Sequence, residues 1–167
     1  AATTNTIRVT YNLDVDGNGV ADALTDGILM LRYLFDPAGA WNYADALGSG
    51  AIRTTRSAIR TYLNGAKETV LDADGNGSAD ALTDGILILR YLFAPAGAWN
   101  YSDALGAGAM RTTRAAIRAH LEQYEPASAL AGGGEVAATD HDTLLDEETD
   151  PATSLLAIDA ILEQWDL

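Results

Sequence analysis

The sequence predicts an all-α fold: two acidic loop–helix units in a pseudo-symmetric tandem repeat, followed by a C-terminal helix. Three observations predict it. The chain repeats itself at an offset of 58, with residues 13–63 aligning without a gap on 71–121 and 41 of 51 positions identical. Each copy opens with a loop so dense in Asp, Asn and Gly that it opposes both helix and strand. Each loop then runs into an apolar stretch, and a second, amphipathic stretch follows after an Ala/Gly-rich connection.

The elements follow in order. The segment before Asp14 is not helix-like, and the opening residues read as a cut made inside a longer protein. After the loop comes Ile28-Leu29-Met30-Leu31-Arg32-Tyr33-Leu34-Phe35, apolar on nearly every face and therefore expected to be buried on several sides. Pro37 and Gly39 end it. The connection is expected to hold one short helical turn over 44–47. Its Trp41-Asn42-Tyr43, like Trp99-Asn100-Tyr101 in the second copy, is read as core packing in preference to a sugar-stacking platform.

Thr54 or Thr55 then caps a helix over 56–63, with Ile59, Tyr62 and Leu63 as its apolar stripe and Asn64-Gly65 as its stop. In the second copy this helix can run on to Tyr124, before Glu125-Pro126. Arg53, Arg56 and Arg60, with Arg111, Arg114 and Arg118, are expected to form a solvated face, able also to meet an acidic surface. The repeats fill residues 1–127. Residues 128–149 read as an acidic, Gly-containing linker. In 150–167, Asp150-Pro151 starts an amphipathic helix striped by Leu155, Ile158, Ile161, Leu162 and Trp165.

Composition narrows the function. A net charge of −14 disfavours nucleic acid and anionic membrane surfaces, which demand clustered Lys and Arg. With no cysteine, disulfides, zinc–thiolate sites and thiol catalysis are excluded. No apolar run is long enough to span a bilayer. The two histidines, His120 and His141, stand in no triad or zinc-protease pattern, so an enzyme is not expected. Residues 1–127 carry 10 basic and 14 acidic residues, and eight of those acids sit in the two loops; two divalent cations would cancel the excess.

A hard cation such as Ca²⁺ takes six to eight oxygens, and an EF-hand loop supplies them from alternate positions around a glycine turn. The first loop offers Asp14, Asp16, Asn18, the carbonyl of Val20, and Asp22; the second offers Asp72, Asp74, Asn76, the carbonyl of Ser78, and Asp80. The exit departs from that spacing. Position 12 is Thr25 or Thr83, and the carboxylate comes one residue later, as Asp26 or Asp84. Direct ligation by Asp26 and Asp84 is expected, with a water-bridged exit as the alternative. Oxygen-only donors disfavour soft transition metals, and Mg²⁺ retains too many of its waters to suit so many protein ligands. Two Ca²⁺ sites are thus expected.

The stretches LDVDGNGVADALTDGILMLRYL and LDADGNGSADALTDGILILRYL resemble the calcium loop and following helix of type I dockerin modules. The resemblance covers about 22 residues in each copy. It implies EF-hand-like (F-hand) units, a secreted or cell-surface location, and a cohesin-like or other extracellular protein partner. The sequence departs from the dockerin pattern in three ways: a loop one residue longer, loops 58 residues apart, and Ala23-Leu24 and Ala81-Leu82 at the partner-reading positions. The expected function is a non-catalytic calcium-binding module for extracellular protein docking, with a calcium-stabilised structural spacer as the alternative.

Overall fold

A computed structural model describes residues 10–127; the linker expected at 128–149 and the helix expected at 150–167 lie outside the described residues. These residues build four α-helices and no strand: α1 (Ile28–Phe35), α2 (Arg56–Ala66), α3 (Ile86–Phe93) and α4 (Arg114–Glu122). A wide π-helical turn precedes α1 (Ala23–Gly27) and α3 (Ala81–Gly85), and a single 3₁₀ turn interrupts each connection at Ala44–Ala46 and Ser102–Ala104.

The wide turn explains how the longer loop is accommodated. Gly27 N–H donates to the Asp22 carbonyl five residues back at 3.0 Å, and Gly85 N–H does the same to Asp80. One more residue is wound into the turn than an α-turn holds. The surplus residue is therefore taken up at the helix entrance, and the following acid turns inward.

Burial of the first helix of each unit is nearly complete. Ile28, Leu29, Met30, Leu31, Tyr33 and Leu34 are buried in α1; Ile86, Leu87, Ile88, Leu89 and Tyr91 are buried in α3. A helix apolar all round must be covered on several sides. Here α1 packs on the wide turn before α3, α3 packs on the wide turn before α1, and the two helices touch each other. α2 covers α1 and α4 covers α3 with the stripes Ile59/Leu63 and Ile117/Leu121. Leu13, Val15, Leu71 and Ala73 carry the core into the loops themselves.

Two helix ends differ from expectation. α2 does not stop at Asn64-Gly65 but runs through to Ala66. Asn64 accepts a hydrogen bond from the Tyr33 hydroxyl at 2.7 Å, and a Cβ at Gly65 would collide with Tyr11. Gly65 thus makes room for a packed tyrosine and does not terminate the helix. α4 ends at Glu122, short of Tyr124, whose N–H folds back to the Leu121 carbonyl. Thr55 caps α2 as expected, accepting from Ala58 N–H at 3.2 Å; Thr113 does the same for α4.

The arginines are not a solvated face. Apart from that one 3₁₀ turn the connections lack regular structure, so their carbonyls need donors from elsewhere. Arg32 donates to the Asn42 carbonyl and grips Asp45 with two bonds at 2.6 and 2.9 Å. Arg56 reaches the Trp41 carbonyl at 2.8 Å, and Arg60 the Gly39 carbonyl. The second copy repeats every contact through Arg90, Arg114 and Arg118. Planar guanidinium groups with several fixed donors suit this stitching better than lysine would.

Candidate metal centre

Each loop gathers three carboxylates. Oxygens of Asp14, Asp16 and Asp26 lie within 4.8 Å of one another, as do those of Asp72, Asp74 and Asp84, and either group can hold a metal ion. All six acids are buried, four of them completely. Buried carboxylates this close repel by about 3.5 kcal/mol per ionised pair at an effective dielectric near 20.

Local backbone geometry sets the positions. Asp14 accepts from the N–H groups of Gly17, Asn18 and Gly19 at 2.7 to 3.1 Å, curling the chain around its own first acid. Gly17 and Gly19 sit at φ of 79° and 93°, the left-handed region that this curl requires. Asp16 accepts from Asn18 N–H at 3.0 Å, and Asn18 from Val20 N–H at 2.8 Å. The second loop reproduces this chain of turns through Asp72, Asp74 and Asn76.

Asp26 closes the loop from the wide turn. One of its oxygens accepts from Val15 and Asp16 N–H at 2.6 and 3.0 Å; the other accepts from Asp22 N–H and the Thr25 hydroxyl. Asp84 accepts from Asp74 and Asp80 N–H and the Thr83 hydroxyl, whereas Ala73 N–H turns to the Leu71 carbonyl. Burial pushes the Asp26 carboxyl up to about 6; the Asp22 and Asp16 amides pull it back, and the Asp16 charge adds to the rise. The same causes raise Asp84. Both exit acids are thus held where a negative charge is costly.

The remaining expected ligands are less buried. Asn18 and Asn76 are half-buried at the loop bend, and Val20 and Ser78 are exposed. Asp22 and Asp80 are exposed at the rim, outside the three-acid groups, their backbones engaged by the exit Asp and the glycine after it.

No family model, curated protein or solved structure matches the chain. The chemistry of the site is therefore carried by its own geometry. Residues outside the loops also touch it. Gly48 N–H donates to the Asp16 carboxylate at 2.6 Å, and Arg53 donates to the Asp14 and Val15 carbonyls. Their counterparts Gly106 and Arg111 do likewise. Nothing in loop spacing points to them; their identity in both copies is the one signal that could have. His120, the one histidine among the described residues, stands against Arg111 and Tyr124. No helix of the described residues is long and apolar enough to cross a membrane.

Proposed function

We propose that this chain is a non-catalytic, two-site calcium-binding module that docks or anchors an extracellular protein. The observation that carries the metal reading is the same buried three-carboxylate group formed twice, each at the entrance of a buried helix. Buried like charges call for a counter-charge, and all-oxygen donors from carboxylates and loop carbonyls suit a hard cation. Calcium is favoured over magnesium because the loop can supply many protein oxygens around one flexible bend. An extracellular setting fits as well, since millimolar calcium fills even weak sites.

Docking is supported by exposed apolar side chains on and beside the loops: Val20, Leu24, Ile52, Leu82 and Met110. Leu24 and Leu82 occupy the positions that read the partner in dockerins, so a cohesin-like or other extracellular protein is the partner class to test. Calorimetric titration should find two calcium ions per chain and one after Asp14→Ala; two ions in that variant would sink the loop assignment.

A second reading has one observation in its favour. Asp26 already receives four hydrogen bonds, as many as an ionised carboxylate has lone-pair positions. The loops would then close largely on their own, and the chain would be a structural spacer. Pulldown from an extracellular fraction with and without calcium separates the two, because a spacer captures nothing specific in either state.

A further inference from the structure

We propose that segments 48–53 and 106–111 form the outer walls of the two ion sites, positioning Asp16 and Asp74, so that ion binding and closure of the wall are one event. This rests on the metal reading above, and concerns residues that loop spacing does not include.

Asp16 is held at four of its atoms, its N–H donating to Asp26 at 3.0 Å. Its Oδ1 accepts from Asn18 within the loop at 3.0 Å. Its Oδ2 accepts from Gly48 N–H at 2.6 Å, and its carbonyl accepts from Ile52 and Arg53 N–H at 3.0 and 2.8 Å. Two of those four anchors therefore come from a segment more than thirty residues further on. Arg53 adds bonds to the Asp14 and Val15 carbonyls, with its guanidinium 3.9 Å from the centroid of the Tyr62 ring. The second repeat matches this wall: Gly106 to Asp74 Oδ2 at 2.6 Å, Met110 and Arg111 N–H to the Asp74 carbonyl, and Arg111 to the Asp72 and Ala73 carbonyls.

Glycine lets the wall come close to the loop side chains. A Cβ at Gly48 would collide with the Asn18 side-chain amide and come within 3.0 Å of Asp16 Oδ2; at Gly106 it would collide with that of Asn76 and lie 2.9 Å from Asp74 Oδ2. The segment entering each loop is not helical, so this returning wall joins the loop's own turns in holding Asp16 and Asp74. Groups that hold a ligand from behind orient it and raise affinity without touching the ion. By linkage, an ion that fixes Asp16 must in turn tighten the wall.

The test uses the full chain. Calcium titration of Gly48→Ala should show one of the two sites weakened about tenfold or more and the other within about twofold, with Thr61→Ala, exposed on α2, unchanged at both. Terbium luminescence lifetimes should report more bound water at the weakened site. In the unaltered chain, calcium should slow amide hydrogen exchange at Gly48 and Gly106, a measurement that needs no variant to fold. Two unaltered affinities in Gly48→Ala, or equal exchange at both glycines with and without calcium, overturn the proposal while leaving the ion sites standing. Absence of any bound calcium in the unaltered chain overturns the metal reading and this proposal together.

Discussion

Leu89 of the second repeat lies directly on Gly27 of the first, where a Cβ would come within 2.8 Å of its Cδ1 methyl. Leu31 meets Gly85 in return, at 2.9 Å from the Cβ position. Each glycine follows the last acid of its own loop, so each acidic loop is packed at its base by the helix of the other repeat.

Gly27→Ala or Gly85→Ala should therefore destabilise the pair by about 1–3 kcal/mol, the usual cost of overpacking a close contact. Ala is the better helix former, so a purely local effect would have the opposite sign. Thermal melts of the calcium-loaded chain distinguish the signs. A raised midpoint would show that the leucine moves aside at no cost.

The exit ligand is tested in the first loop. Asp26→Asn should weaken its site far more than Thr25→Val, because the Asp26 carboxylate belongs to the three-acid group and the Thr25 hydroxyl only donates to it. Calorimetry on both variants decides. The reverse order would move the exit ligand to position 12.

Sequence periodicity revealed the helices because burial of α1 and α3 leaves them almost wholly apolar, a pattern visible without neighbours. The grouping of Asp14, Asp16 and Asp26, and of Asp72, Asp74 and Asp84, was equally legible, since their spacing is local; Asp22 and Asp80, read from the same spacing, lie outside those groups. What escaped was long-range. Arg56 and Arg60 look like a polar face on a helical wheel, yet they spend their donors on carbonyls of the connection. Gly65 looks like a stop signal, yet it answers to Tyr11, distant in sequence. Gly48 is unremarkable until the chain returns to Asp16.

Acid should act with opposite signs on the ion-free and ion-loaded chain. Without ion, Asp26 has its carboxyl raised from 3.8 to about 6 in the fold, so the folded chain binds its proton more tightly than the unfolded one. The stability this contributes is complete below 3.8 and is lost as pH rises through about 6; Asp84 shifts in the same direction. His120 runs the other way, because burial and Arg111 lower its pKa, so His120→Tyr, the residue at the matching position 62, is the background of choice. In that background, chelated protein should melt higher near pH 4.5 than near pH 7.5, whereas calcium-loaded protein should melt lower, since protons compete with the ion. Parallel trends in both states would place Asp26 and Asp84 outside the ion sites.

Calcium should also serve as a folding switch. Each loop holds three buried carboxylates against the base of an apolar helix, and each base is packed by the helix of the other repeat. At about 100 times the dissociation constant, one bound ion adds about 2.7 kcal/mol to the folded state. Two such sites supply about 5 kcal/mol, comparable to the whole stability of a small domain. Calcium-poor surroundings should leave the chain loosely packed, and millimolar calcium should make it compact. Circular dichroism in chelator and then in millimolar calcium should show helix content and a cooperative melt arriving together, with magnesium at the same level doing markedly less. An ion-free chain as helical and as heat-resistant as the loaded one would mean that the hydrogen bonds onto Asp26 and Asp84 close the loops unaided, and would favour the spacer reading.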